Sequence, residues 1–130
     1  MELSTSAAAS SRRPTAISFL KNASSGKLDE AYRHVSTSFR HHNPYFKGDA
    51  ESLKAGMAAA HKQFPNTTLE VKHVFEDGDV VAVHSRVQHS PERPEIAVVH
   101  IFRFEGDKIA ELWDVGIEAP KESPNENGMF

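Results

Sequence analysis

The sequence predicts an α+β fold in which a curled antiparallel sheet wraps, in the shape of a cone, around three N-terminal helices. Two patterns predict it. Apolar residues recur at helical spacing in the first half of the chain, and the second half alternates polar and apolar residues between two glycine-containing turns. The length of 130 residues suits one domain. We place it at residues 15–118 and expect about four long strands and one short strand.

The first two helices follow a tail rich in Ser, Ala and Thr. Residues 1–14 have too little apolar area to offset the entropy of ordering them, which predicts disorder. From Thr15 apolar residues have helical spacing as far as Gly26, a residue type that commonly ends helices. A second helix begins after Lys27, where apolar residues are again three, four and seven positions apart. We expect the two helices to form a hairpin.

A short strand and a third helix come next. Residues 36–42 predict the strand, which ends at Asn43-Pro44 because a proline disfavours helical dihedral angles in the residue before it. Residues 48–63 predict the helix, with Asp49 as its N-cap and an end at Phe64-Pro65.

The sequence pattern of the rest of the domain predicts four consecutive antiparallel strands. Residues 67–76 and 79–89 flank Asp77-Gly78, a strong two-residue hairpin signal. On the first of these strands one face carries Leu69, Val71, His73 and Phe75. The prolines of residues 90–94 predict a loop. A second hairpin then has strands over 95–104 and 108–118, and residues 119–130 predict an irregular tail.

Composition excludes several classes of function. The chain has 15 Lys and Arg against 18 Asp and Glu, a net charge of −3, with no basic cluster for a phosphate backbone, so we expect no nucleic-acid partner. No apolar run approaches the roughly 20 residues of a membrane helix, so we expect no membrane partner. The absence of cysteine excludes thiolate catalysis and thiolate metal sites, and it fits a cytoplasmic location.

A curved sheet of this kind encloses a cavity, and polar side chains that point inward are its candidate functional residues. Strand residues alternate between faces, which puts His100 with Phe102 on one face and Leu112 with Asp114 on one face. If the proline-containing loop has five residues, His84 lies directly across from His100. We therefore expect His84, His100 and Asp114 to converge, with Phe102 and Leu112 as apolar walls.

Asp114 is the leading catalytic candidate. A carboxylate on a buried strand costs on the order of several kcal/mol unless it is paired, and a histidine is the simplest partner. Such a dyad has pKa values near neutrality, as general acid/base catalysis needs. The alternative for each histidine is a hydrogen-bonded residue without chemistry. Another alternative is a metal ion held by His84, His100 and Asp114, although no helical HxxxH or HExxH motif supports it.

Other polar and aromatic residues complete the candidate set. At most one of His41 and His42 can face the cavity, and we expect His42 inside, beside Asn43. Trp113 lies on the face opposite Asp114, and we expect it to pack against other side chains rather than to stack on a cofactor. The remaining histidines have no distinctive spacing and are expected to be solvated or locally hydrogen-bonded: His34, His61, His73 and His89.

On the outer face of the sheet we expect an ion pair and a possible subunit contact. Arg103 and Glu111 are expected to form a cross-strand ion pair there. The same face could pair two subunits.

Four segments carry a family resemblance: HHNPYFKGDAESLKAGMAAAHKQFP, VFEDGDVVAVHSRV, VVHIFRFEGDKIAELWDV and the closing NENGMF. Their order and spacing resemble the SnoaL-like polyketide cyclase group of the nuclear-transport-factor-2-like superfamily. The resemblance covers roughly residues 15–130 and implies the cone-shaped fold.

The resemblance also implies roles for individual residues. Aldol cyclases of this group use an aspartate as general acid/base on an activated C–H, without a cofactor, and Asp114 is the candidate for it. His84 and His100 are candidates for orienting or oxyanion-stabilising groups, and Asn43 for a polar positioning residue. Ketosteroid isomerases of the superfamily carry acidic residues where His100 and Asn43 stand, so the resemblance implies cyclase-like rather than steroid-isomerase chemistry.

The sequence therefore predicts a small cofactor-independent acid/base enzyme that acts on an apolar carbonyl compound. The alternative is a module of the same fold that binds a small hydrophobic ligand or a partner without chemistry. The predicted catalytic residues are Asp114, His84 and His100, and the predicted substrate-binding residues are His42, Asn43, Phe102, Leu112 and Trp113. No metal and no cofactor are expected, whereas a homodimer through the outer sheet face is, as is common in the superfamily.

Overall fold

The computed structural model describes residues 11–130; residues 1–10, most of the predicted N-terminal tail, lie outside the described part. The described residues form helices α1 (Arg12–Ser24), α2 (Leu28–Tyr32) and α3 (Ala50–Gln63) and strands β1 (Val35–His41), β2 (Thr68–Asp77), β3 (Val80–Gln88), β4 (Ile96–Glu105) and β5 (Lys108–Glu118). The strands make one curled sheet in the order β1-β5-β4-β3-β2, with helices packed on its inner face. The predicted α+β fold is confirmed. Residues 119–130 contain no helix or strand.

Helix α1 begins at Arg12, three residues earlier than predicted, because the Arg12 side chain is anchored on the sheet. Its Nη1 donates to the Gly78 carbonyl at 3.0 Å and its Nε donates to the Gly106 carbonyl at 3.2 Å. The arginine therefore holds the tips of both hairpins. Pro14 is tolerated in the first turn, where a backbone N–H would have no partner within the helix.

Helix α3 begins as the sequence predicts. Asp49 is its N-cap: Oδ2 accepts from the Ser52 backbone N–H at 3.1 Å and Oδ1 accepts from the Ser52 hydroxyl at 2.7 Å. Such a cap satisfies one of the amide groups that a helix start leaves unpaired.

Two tight turns and one long return set the sheet topology. Gly78 and Gly106 both have φ of +62°, a left-handed conformation that glycine adopts without strain. Strands β2 to β5 pair with one another antiparallel, whereas β1 pairs in parallel with β5. The parallel pair places the end of β1 beside residues 111–112.

Strand β2 carries a bulge. The pairing register shifts between Val71 and His73, which makes Lys72 an extra residue. Side chains beyond a bulge change face relative to those before it. The prediction that His73 and Phe75 share a face with Val71 is therefore wrong: Val71 packs against the core, whereas Phe75 is 65% exposed.

The apolar core fills one end of the inner face. Phe19 of α1 is fully buried, with its ring centroid 5.8 Å from that of Phe102 and 5.4 Å from that of Tyr32. Ile109 and Leu112 close this end from β5. No helix among residues 11–130 has the length and apolar character needed to cross a membrane.

Candidate functional site

A cavity of about 610 Å³ lies between α1, α3 and the inner face of β3 to β5. Most of its lining is apolar, with side chains such as Leu20, Met57 and Val98. Its polar lining includes Asn43, His61, His89, His100 and Asp114. An apolar cavity with a few convergent polar groups is typical of a small-molecule site.

Asp114 lines this cavity and is held by Asn43. The Asn43 side-chain Nδ2 donates to Asp114 Oδ2 at 3.1 Å, and Asn43 Oδ1 accepts from the Tyr45 backbone N–H at 3.0 Å. The His42 backbone N–H donates to the Leu112 carbonyl at 3.0 Å, which extends the β1–β5 pairing and brings Asn43 level with Asp114. Within residues 11–130, Asp114 Oδ1 has no hydrogen-bond partner, which leaves it for a ligand.

His100 lies directly opposite Asp114 in the β4–β5 ladder. Burial lowers the pKa of His100 to about 4, and the charge of Asp114 opposes this effect to a smaller extent. The ring is therefore neutral at pH 7. Its Nδ1 is buried and has no hydrogen-bond partner among the described residues. Its Nε2 is not among the buried atoms that lack a partner. A neutral imidazole of this kind can donate one hydrogen bond into the cavity.

His84 does not join this group. Its ladder partner is Val99, and His100 pairs with Val83, so the two imidazoles lie on opposite faces of the sheet. The closing pair of the β3–β4 hairpin is Val87 with Ile96, which encloses eight residues, 88–95, whereas the predicted closing pair of His89 with Glu95 encloses five. The register therefore differs by one residue, which reverses the face. The predicted convergence of His84 with His100 is wrong, and His84 Nδ1 instead lies 3.0 Å from His73 Nδ1 on the outer face.

The adjacent histidines of β1 face opposite to the prediction. His41 is buried, and its Nδ1 accepts from the Asn43 backbone N–H at 3.1 Å, so its Nε2 donates to the Lys47 carbonyl at 2.6 Å. His42 faces outward, with its ring stacked at 5.0 Å on Trp113. The prediction of His42 in the cavity is wrong. His41 instead supports the loop that carries Asn43.

Besides His42, three predicted substrate-binding residues do not line the cavity. Trp113 lies on the outer face with His42. Phe102 and Leu112 face inward as predicted, but they are 0% and 2% exposed and belong to the core. The prediction that they form cavity walls is wrong, because they lie behind the residues that do. Asn43 is the predicted substrate-binding residue that lines the cavity.

The strand pairing also rules out the metal site formed by His84, His100 and Asp114. It needs His84 beside His100 and Asp114, and His84 lies on the other face of the sheet. Within the described part of the chain, no group of three or more His, Asp or Glu residues is placed to hold a metal ion.

His61 lines the cavity and was expected to be solvated or locally hydrogen-bonded. Its ring packs on Gly26, where a Cβ atom would lie 2.4 Å from His61 Cδ2, and its Nδ1 is buried without a partner among residues 11–130. The sequence held a signal for this position. His61 is four residues after Met57 and eight after Leu53, so it continues the apolar stripe of α3.

His89 also lines the cavity. Its Nδ1 lies 3.2 Å from the Thr67 hydroxyl, and its ring stacks at 4.9 Å on Phe64. The expected local hydrogen bond is therefore present, but the cavity position was missed. The signal is alternation: His89 follows Val87, a cavity residue, at the two-residue spacing of one strand face.

Glu111 organises the outer face of β1 and β5. It accepts from Arg40 Nε and Nη2 at 3.0 and 3.2 Å and from Arg103 Nε at 3.0 Å, and its Oε2 lies 2.6 Å from His42 Nε2. The hydrogen bonds from Arg40, His42 and Arg103 lower the pKa of Glu111 to about 2. The predicted Arg103–Glu111 pair is confirmed. Because Arg40 and His42 lie at the end of β1, the cluster also fixes the start of the loop that carries Asn43.

Comparison with known proteins adds the family and the fold. A model of the family described as a SnoaL-like domain matches residues 17–112, well over half of the chain. Among curated proteins, none is detectably similar in sequence.

Solved structures share the fold at low identity. AclR from Streptomyces galilaeus, described as a candidate hydroxylase, has a TM-score of 0.73 and 22% identity over 84% of this chain and 90% of that one. A candidate SnoaL-like polyketide cyclase from Jannaschia sp. CCS1 has a TM-score of 0.71 and 17% identity over 84% and 87%. An NTF2-like protein of unknown function from Cytophaga hutchinsonii has a TM-score of 0.66 and 16% identity over 82% and 89%. At these identities the likeness shows the fold alone.

Proposed function

Because the chain belongs to the SnoaL-like domain family, we propose that it is a small cofactor-independent acid/base enzyme of the cyclase or isomerase type that acts on an apolar carbonyl compound. One observation carries the proposal. The Asp114 carboxylate lines a mostly apolar cavity with one oxygen held by Asn43, directly opposite the neutral ring of His100. A base beside a hydrogen-bond donor is what the formation of an enolate needs.

Asp114 is the general base in this mechanism. Its free Oδ1 takes a proton from the carbon next to the substrate carbonyl, and the electron pair of that C–H bond forms the enolate. His100 donates its Nε2–H to the enolate oxygen. In a cyclisation, the enolate carbon then attacks a second carbonyl of the same molecule, and the resulting alkoxide oxygen takes the proton back from Asp114. In an isomerisation, Asp114 returns the proton to a different carbon.

Replacing Asp114 tests the proposal without knowledge of the natural substrate. A panel of apolar ketones in D₂O reports, by NMR, the exchange of the proton next to the carbonyl. Asp114→Asn keeps the size of the side chain and removes the base, so we expect exchange to slow by at least about 10²-fold. Asp107→Asn, in the exposed β4–β5 turn, is the control that keeps the wild-type rate. Equal rates in wild type and Asp114→Asn contradict the proposal.

A binding module without chemistry is the second candidate function. It is favoured by the predominantly apolar lining and by His100, which stands where related isomerases carry an acidic oxyanion residue. Calorimetry with the same ketones separates the two candidates. Binding of a ketone with no exchange above the uncatalysed rate supports the module and contradicts the enzyme.

We also propose that the outer sheet face pairs two copies of the chain. Val115 and Ile117 are 65% and 66% exposed on the face of β5 that also carries Trp113, and exposed apolar patches mark interaction sites. Sedimentation equilibrium is expected to show a dimer that Ile117→Lys converts to a monomer. Tyr45→Lys, at an aromatic residue that lines the cavity and is 86% exposed, is the control that stays dimeric. A monomeric wild type contradicts the pairing.

A further inference from the structure

Two residues that are neighbours on the inner face of the sheet each carry a buried polar atom without a partner. Ser85 is fully buried, and neither its Oγ nor His100 Nδ1 has a hydrogen-bond partner within residues 11–130. In the β3–β4 ladder Ser85 pairs with Val98 and His100 pairs with Val83, which makes Ser85 and His100 diagonal neighbours on one face. Cβ atoms in such positions are about 7 Å apart, which one hydrogen bond or one bridging water can span.

Among the described residues, the sheet neighbours of Ser85 on this face are mostly valines. Its ladder partners are Val71 on β2 and Val98 on β4, and Val83 and Val87 flank it on the same face of β3. A hydroxyl among apolar side chains is unfavourable unless it is hydrogen-bonded. The adjacent polar group on this face is the His100 ring.

We propose that Ser85 is a positioning residue whose hydroxyl donates to His100 Nδ1, directly or through one water, and so keeps the proton of the neutral ring on Nε2. The inference rests on the proposed function, in which Nε2–H is the donor to the enolate oxygen. It adds the group that prepares this donor before substrate binds.

The charge of Asp114 decides between the two neutral forms of the ring. A serine hydroxyl can donate or accept, so Ser85 alone is compatible with a proton on Nδ1 or on Nε2. A proton on Nδ1 would leave two acceptors, Nε2 and the Asp114 carboxylate, facing the cavity, with neither able to donate to a substrate carbonyl oxygen. A proton on the open Nε2 instead directs the positive end of the N–H dipole toward the cavity that Asp114 shares.

Histidine ring spectra of the ¹⁵N-labelled full chain at pH 7 test the proposal without a substrate. Long-range ¹H–¹⁵N correlations distinguish a protonated from an unprotonated ring nitrogen, and the signals lost in His100→Gln assign the ring. We expect His100 to be protonated at Nε2, with an Nδ1 signal displaced by an accepted hydrogen bond. Ser85→Ala moves that signal toward the value of an unbonded nitrogen, and Ser85→Thr, which keeps a hydroxyl, restores it.

Ketone exchange kinetics give the functional readout. Complete loss of an oxyanion donor lowers the rate about 10²- to 10³-fold. In Ser85→Ala the His100 ring still carries its proton on Nε2 for part of the time, so the loss is smaller. We therefore expect Ser85→Ala to lower kcat about tenfold with KM unchanged. A wild-type His100 protonated on Nδ1, or a Ser85→Ala ring spectrum identical to wild type, overturns the inference. If Ser85→Ala does not fold, the wild-type spectrum and Ser85→Thr still decide it. Failure of the proposed function appears separately, as unchanged exchange in Asp114→Asn.

Discussion

Moderate acidification is expected to destabilise this protein through His100. Burial lowers the pKa of His100 from 6.5 to about 4, whereas the unfolded chain keeps the ordinary value. Between these two values the unfolded state binds more protons than the folded state, so the free energy of unfolding falls as the pH falls. Each pH unit between the two pKa values is worth about 1.4 kcal/mol, so the loss from pH 7 to pH 4 is about 3 kcal/mol. Glu111, whose pKa is lowered to about 2, loses its contribution only below about pH 4.5.

Urea unfolding at pH 7, 6, 5 and 4 measures this loss. His100→Gln removes the titrating ring, so its stability is expected to fall by about 3 kcal/mol less than that of wild type over the same range. Phe102→Leu, a buried change two residues along the same strand, is the control: it lowers stability at every pH and keeps the wild-type pH dependence. If His100→Gln loses as much stability as wild type between pH 7 and pH 4, the assignment of the linkage to this ring is wrong.

Three further substitutions test the supports of the site. Asn43→Ala removes the hydrogen bond that orients the carboxylate proposed as the base, so we expect ketone exchange to slow about tenfold while the folded state persists in circular dichroism. Gly56→Ala would place a Cβ atom 2.4 Å from Phe46 Cε1 and displace that ring, which lines the cavity, so we expect the affinity for an apolar fluorescent probe to change. Gly48→Ala is the control: its Cβ atom would have its nearest neighbour at 3.7 Å, so the affinity for the probe stays unchanged. Glu111→Gln lowers the free energy of unfolding at pH 7 by about 2 kcal/mol in urea and removes the part of the stability loss below pH 4.5 that Glu111 causes.

The elements could be predicted because their signals are local. Asp77-Gly78 marks a hairpin by its own backbone preferences, and Asp49 marks a helix start by a contact three residues away. Alternation along β5 assigns Asp114 to the inner face without any knowledge of the neighbouring strands. The extra residue Lys72 in β2 carries no such signal, and this is why Phe75 was assigned to the wrong face.

The composition of the site could not be predicted in full because it depends on pairing between distant segments. A hairpin that closes at Val87 with Ile96, rather than at His89 with Glu95, moves His84 to the other face, although both strands were recognised. The choice between His41 and His42 depends on the parallel pairing of β1 with β5, which joins residues about 70 positions apart. Ser85 gives no signal at all in the sequence, since its meaning comes from the unpartnered nitrogen of His100 beside it.

Strand β5 holds the end of β1 from both faces of the sheet. Its outward Glu111 binds Arg40 and His42 at the end of β1, and its inward Asp114 receives the side chain of Asn43, which directly follows that end. An edge strand held by a few backbone pairs would otherwise be free to fray, and Asn43 would move with it. The cluster around Glu111 on the outer face therefore supports the position of Asp114 on the inner face. This connection gives a structural reason for a buried carboxylate, bound by two arginines and His42, three residues before Asp114.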